Sequence, residues 1–291
     1  MIAALISKII GMLYKSPLSN TLGNNSMGLF NYAQNVYFIL LMIASFSIPQ
    51  AVSKIMAEKL AFKRYRDAQK VFHCALLYVI IMGGVVALFC LFGSSILVPE
   101  SMSGARLALK MLAPTIFLSG ILGTFRGYFQ AYRNMLPTSL SQIVEQCLVA
   151  VFAILMSTVM LNKFSGAEES VRNAWGAAGA TMGTGAGVAS ALLFMLFVYW
   201  VNRKNIKKRL ERDTHSRDEA TGEVMKNIVL IVMPIILSSF IYNVNGFINS
   251  YMYSGIQGFK GIDHDTITSL YAEYGYYMTL INIPLTLAST A

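Results

Sequence analysis

Apolar stretches long enough to cross a membrane alternate along the chain with short basic connections. Cys74 to Pro99, Gln146 to Asn162, Trp175 to Asn202 and Asn227 to Phe259 carry no charged residue. A helix needs about 20 residues to span about 30 Å of hydrocarbon at 1.5 Å per residue, and each run approaches or exceeds that length. The pattern predicts eight spans, at about 2–22, 28–60, 70–97, 104–131, 137–162, 174–202, 225–254 and 266–291. Lys8 and Lys15 interrupt the first span, Pro49 is expected to bend the second, and Pro137 takes the favoured first turn of the fifth. The expected fold class is all-α, a polytopic membrane protein.

Composition agrees. Of 291 residues, 55% are apolar and 13% charged, about half the charged share of a soluble domain. Mean hydropathy is +0.56. The 23 Lys and Arg against 14 Asp and Glu would suit a nucleic-acid partner if they formed a patch, but they do not. Sixteen lie on the connections after spans two, four and six, five lie after spans three, five and seven, and Lys8 and Lys15 complete the set. That alternation follows the positive-inside rule and predicts a cytoplasmic amino terminus in the cytoplasmic (inner) membrane. The basic balance is therefore orientation chemistry, and no nucleic-acid partner is expected.

Enzymatic signatures are missing. There is no GxSxG, no GKS or GKT phosphate loop and no HExxH, so neither catalytic residues nor a cofactor are expected. His73, His215 and His264 are scattered without ligand spacing, so no metal site is expected either. Cys74, Cys90 and Cys147 fall in apolar stretches and read as free, buried thiols. Gly183, Gly185 and Gly187 sit in a span with no preceding strand, where helix packing is the better account; Gly179 and Gly183 have the four-residue spacing that lets a second helix approach. The amino end lacks the features of a signal peptide.

Two segments resemble each other. Tyr32-Ala33-Gln34-Asn35-Val36-Tyr37 opens span two and Tyr271-Ala272-Glu273-Tyr274-Gly275-Tyr276 opens span eight, each followed by an Ile-Pro pair (Ile48-Pro49, Ile283-Pro284). The second pair comes eight residues sooner, so the match is partial. A parallel repeat of this kind implies a first six-helix lobe at 1–203, a basic cytoplasmic linker at 204–223 and the first two helices of an incomplete second lobe at 224–291. The linker reads either as a solvated connector or as a surface helix on anionic headgroups. The sequence is expected to be part of a protein about twice as long.

Polar groups within the spans mark candidate chemistry. Lys8 and Lys15 are seven residues apart, nearly two turns, and would share one face. A mid-span lysine costs on the order of 2.5–3.5 kcal/mol unless it meets water or an anion, or snorkels to an interface. Asn31, Gln34 and Asn35 on span two, Gln142, Glu145 and Gln146 on span five, Asn245 and Asn249 on span seven and Glu273 on span eight are candidate linings of a wet central cavity. Taken singly, each is more often an interhelical hydrogen bond than a ligand site. Arg126 closes span four, with Lys54 beyond Pro49 near the same level. A cationic cavity suits a large anionic head on a lipid tail.

The stretch from Gly123 to Gln146, GTFRGYFQAYRNMLPTSLSQIVEQ, resembles the span four to five hairpin of the stage V sporulation protein B and MurJ-type group. That group belongs to the multidrug/oligosaccharidyl-lipid/polysaccharide (MOP) exporter superfamily. Ser7-Lys8-Ile9-Ile10-Gly11 with Lys15, Gly28-Leu29 with Tyr32, and Ile48-Pro49 with Ser53-Lys54 are similar to its first two helices. The resemblance implies a MATE-like and MurJ-like bundle of about fourteen helices in two lobes, eight of them here. It implies a flippase for undecaprenyl-pyrophosphate-linked precursors, lipid II being the leading case, working by alternating access. The partners would be lipid II or another lipid-linked oligosaccharide, membrane lipids, and a coupling ion, H+ or Na+. Lys8, Lys15 and Lys54 are the cationic positions carried over, with Arg126 beside them. The rival within the superfamily is a multidrug cation antiporter, which would use Glu145 or Glu273. A membrane glycosyltransferase would want carboxylate-rich outer loops, which are short here.

Overall fold

The computed structural model describes residues 2–217 and 219–288; the expected end of span eight, 289–291, lies outside them. In chain order the elements are α1 (Ile2–Leu13), α2 (Lys15–Leu41), a π-helical turn Met42–Phe46, α3 (Ile48–Ala61), α4 (Tyr65–Phe92), the short α5 (Ser94–Leu97), a 3-10 turn Glu100–Met102, α6 (Ala105–Ala131), α7 (Leu136–Lys163), α8 (Glu169–Glu211), α9 (Thr221–Phe259) and α10 (His264–Ala288). No strand occurs among the described residues. Six helical runs there are long and apolar enough to cross a membrane, and the first, Ile6–Ala61, takes in both of the first two expected spans. The chain is an all-α membrane bundle.

Local sequence explains where that first run bends. Gly23 inside α2 has φ 71° and ψ 170°, a conformation L side chains rarely adopt, and it falls at the expected break between spans one and two. Pro49 cannot donate to the carbonyl four residues back and its ring crowds that group; the widened π turn immediately before it absorbs the misfit.

Packing relies on missing side chains. A Cβ on Gly183 of α8 would run into the α7 backbone at Phe152 and Ala153, and one on Gly179 would lie 2.7 Å from the Met156 carbonyl oxygen. The glycines of α8 therefore seat α7 at close range, as their spacing predicts. Two apolar cores result. One gathers Leu18, Phe30, Tyr32, Met102, Leu109 and Leu112. The other gathers Ile48, Met56, Phe72, Tyr128, Val188 and Met195. Large apolar side chains stay exposed on α4 (Ile81, Val85, Leu88), α7 (Val151, Leu155), α8 (Leu193, Phe197) and α9 (Leu230, Met233, Leu237), as a lipid-facing belt requires. Cys74 and Cys90 are buried, but Cys147 departs from expectation: it is exposed, on α7.

The basic segment after span six begins as the exposed end of a helix. Helix α8 runs on to Glu211, through residue 203, and its 43 residues are about 64 Å long at 1.5 Å per residue. Asp213, Ser216, Arg217 and Glu219 then meet the α3–α4 turn and its flanks. Arg66 N–H (2.6 Å), His215 N–H (2.9 Å) and Ser216 donate to Asp213. Arg217 N–H donates to Asp67 at 3.0 Å, and Glu219 meets both Lys59 and Arg64. Burial would raise the Asp213 carboxyl, but the Ser216 hydroxyl and backbone N–H groups of Arg66, His215 and Ser216 outweigh it and hold it well below the usual range.

Candidate functional site: a polar cavity within the bundle

Between the levels of the two cores lies a cavity of about 450 Å³. Helices α1 and α2 supply Gly11, Lys15, Asn31, Gln34 and Tyr37 to its wall, α6 supplies Ser119 and Arg126, α7 supplies Gln142, Glu145 and Gln146, and α8 supplies Thr184. Its polarity is organised by three sets of contacts. Arg126 Nη2 lies 2.6 Å from Glu145 Oε2, and its Nε donates to Ser141 Oγ at 2.9 Å. Gln34 Nε2 donates to Thr184 Oγ1 at 3.1 Å. The Tyr37 and Ser119 hydroxyls are 3.3 Å apart. Gly11 brings α1 close, since a Cβ there would be 2.9 Å from Gln146 Oε1.

Of the thirteen residues singled out from sequence, the structure gathers seven here: Lys15, Arg126, Asn31, Gln34, Gln142, Glu145 and Gln146. The other six lie elsewhere. Lys8, on α1, is exposed and outside the cavity wall. Lys54 is exposed because Ala51, Val52, Ile55 and Met56 turn the buried face of α3 away from it. Asn35 points to a different seam: its Nδ2 donates to Ser250 Oγ on α9 (2.9 Å) and Tyr271 Oη on α10 (3.0 Å). Asn245, Asn249 and Glu273 are exposed and outside the cavity wall. The wall thus draws on residues up to Val188 alone, whereas the sequence pattern had suggested a chamber with polar stripes from both lobes. Thr184, Ser119 and Tyr37 escaped sequence reading; a lone hydroxyl in a small-residue or aromatic run gives no periodic signal.

The tyrosines aligned by the internal similarity meet. Tyr32 and Tyr271 have ring centroids 5.6 Å apart, and Tyr271 Oη donates to Ser250 Oγ at 2.8 Å. Nearby, a Cβ on Gly28 would collide with the Thr268 carbonyl oxygen, so α2 and α10 touch backbone to backbone.

A family model described as "Polysaccharide biosynthesis protein" matches residues 1–291. The chain belongs to this family. Its hairpin resemblance to the stage V sporulation protein B and MurJ-type group is borne out by curated relatives. It is 25% identical over 288 residues to Stage V sporulation protein B of Bacillus subtilis (strain 168), covering 97% of this chain and 53% of that protein. It is 28% identical over 216 residues to Lipid II flippase MurJ of the same organism, covering 68% of this chain and 37% of that one. The chain spans about half, or less, of the length of these relatives. Among solved structures, an inward-facing multidrug resistance MATE family transporter of the MOP superfamily matches with a TM-score of 0.66 at 16% identity, over 97% of this chain and 62% of that one. The family member described here therefore has a MATE-like fold and is a multi-pass membrane protein, and one of its relatives is named a flippase.

Proposed function

We propose that this family member handles substrate in a flippase that carries lipid-linked sugar precursors across the cytoplasmic membrane by alternating access, lipid II being the leading substrate. The observation that carries the reading is the cavity in which Lys15 and Arg126 stand among amides and hydroxyls within a membrane bundle. Cations there replace the water around a diphosphate, the amides suit sugar hydroxyls, and the prenyl tail stays in lipid; no covalent chemistry is required. The Lipid II flippase relative supports the same substrate class. The amino terminus is cytoplasmic by the loop-charge alternation. The wider organisation is two lobes, 1–203 and one starting near 224, joined by the docked basic segment. Lys8 and Lys54, outside the cavity wall, are not part of the proposed anion site.

The test uses the full-length gene in cells depleted of their own flippase, reading whether lipid II becomes accessible from outside. Arg126→Ala and Lys15→Ala are expected to abolish complementation, and Lys8→Ala to retain it. Normal complementation by the Lys15/Arg126 double variant would sink the assignment.

The MATE-like fold and the Glu145 carboxylate favour a second reading, a multidrug cation antiporter. It is the weaker one, because Glu145 is already held by Arg126 at 2.6 Å and does not face the cavity as a free anion. Drug efflux that depends on Glu145 but not on Lys15 would reverse the ranking.

A further inference from the structure

A second polar pocket, of about 290 Å³, lies at the basic end of the bundle, apart from the cavity. Helix α6 serves both: Arg126 and Gln130 line the cavity, while Tyr128 and Tyr132 wall this pocket. The α6–α7 turn adds Asn134, and the far end of α8 adds Asn202, Asn205 and Arg209.

Its polar groups suit a ligand that is anionic at one point and hydroxylated at another. The Arg209 guanidinium lies over the Tyr132 ring, 5.0 Å from the centroid, and pairs with no carboxylate among the described residues. Set against a ring, it presents in-plane N–H donors to an anion. Asn134 Oδ1 accepts from Leu136 N–H at 3.3 Å, which leaves its amide N–H groups as donors. Asn202 Nδ2 donates to the Val198 carbonyl at 2.8 Å, which leaves its Oδ1 as an acceptor. Tyr128 and Tyr132, with ring centroids 5.1 Å apart, give the pocket an aromatic side.

The surroundings put this pocket at the membrane surface. Met135 and Leu136, beside Asn134, are large, apolar and exposed. On α8 the exposed Phe197, Trp200 and Val201 give way to Arg203, whose guanidinium lies 5.0 Å from the Trp200 ring, as an interfacial anchor would. Arg209 follows Trp200 by nine residues, about 13.5 Å along the helix. Helical side chains lean toward the amino end, here back toward the membrane, and Arg209 duly reaches Tyr132 at the end of α6. A polar pocket bordered by exposed apolar residues fits a lipid head with its tails alongside, whereas a soluble phosphate would have no use for the apolar border.

We infer that this pocket binds an anionic phospholipid whose headgroup carries free hydroxyls, of the phosphatidylglycerol type. The phosphodiester takes Arg209 and the Asn134 amide, the headgroup hydroxyls take Asn202 and Asn205, and the acyl chains lie along Met135 and Leu136. The volume is at the small end of ligand pockets, which suits a phosphate with a three-carbon polyol rather than an oligosaccharide. The site is thus one for a resident lipid, and it stands whatever the cavity carries.

The experiment is calorimetric titration of the purified full-length protein, in a neutral detergent, with dioctanoyl phosphatidylglycerol. Saturable binding is expected, at least tenfold tighter than that of dioctanoyl phosphatidylcholine, whose head is zwitterionic and lacks hydroxyls. Dioctanoyl phosphatidylmethanol, anionic but without hydroxyls, should fall between them. Arg209→Ala should weaken phosphatidylglycerol about tenfold. Asn202→Leu should weaken phosphatidylglycerol several-fold and leave phosphatidylmethanol unchanged. Lys204→Ala removes an exposed cation of the same stretch of α8, outside the pocket wall, and should alter affinity less than twofold. Equal losses in Arg209→Ala and Lys204→Ala would reduce the site to diffuse surface charge and overturn the inference, as would equal binding of phosphatidylglycerol and phosphatidylcholine or no saturable binding. Glycerol phosphate binding as tightly as the lipid would overturn the lipid assignment in favour of a soluble phosphate.

Discussion

Asn31, Gln34 and Asn35 lie within five residues of one helix, yet they serve two regions built on opposite terms. Asn31 and Gln34 face the cavity, whose wall α2 shares with α1, α6, α7 and α8. Asn35 faces the seam of α2 with α9 and α10, where its amide, the Ser250 hydroxyl and the Tyr271 phenol form a closed ring of hydrogen bonds under the Tyr32 ring. The residue types are alike, and the neighbours differ. Asn35 is tied to both neighbouring helices, while Gln34 holds Thr184 at the edge of a cavity. At the seam α10 comes close because Gly28 lacks a side chain.

The comparison can be broken hardest at Gly28. A methyl there would meet a backbone carbonyl, which cannot swing aside, so Gly28→Ala is expected to destabilise the detergent-purified protein by about 1–3 kcal/mol, read as a large fall in midpoint on thermal unfolding. Next come the two amides. Asn35→Leu removes two buried ties and is expected to cost about 1–2 kcal/mol, whereas Gln34→Leu, next to the cavity, should cost less than about 1 kcal/mol while impairing transport. Equal losses of stability in the two variants would erase the distinction between seam and cavity. Gly11→Ala should have the smallest effect on stability, because its methyl would meet only the movable end of the Gln146 side chain.

A pH titration sharpens the picture from outside both regions. The Asp213 carboxyl is held low in the folded chain, so its contribution to the contacts of residues 213–217 with the α3–α4 turn is fully present above the ordinary carboxylate range. It is lost as pH falls below about 4 toward the folded value. Limited proteolysis should leave this segment intact at pH 7 and cut it progressively with a protease active under acid conditions; cleavage at the same rate at both pH values would mean the carboxylates do not hold it.

Several features of the fold were legible from the chain because they follow from one-dimensional rules. Uncharged runs of membrane length mark helices whichever neighbours they acquire, and Pro49 marks a bend because its backbone chemistry admits few alternatives. The glycines of α8 announced close packing through spacing alone. Candidate site residues were only half legible. Lys8 and Lys15 look equivalent on an ideal helix, yet only Lys15 reaches the cavity wall. Arg126 and Glu145 were visible as separate polar residues but not as a bonded pair, since 19 residues and a turn lie between them.

Sequence by itself determined that this is a bundle of membrane helices, and its hairpin motif determined the family, because hydrophobic length and residue spacing are properties of the chain before it folds. Tertiary structure alone decided which polar residues share a space. Facing is set by how helices rotate and approach one another, and that depends on contacts between residues far apart in sequence, such as Gly28 with Thr268 and Gly183 with Ala153.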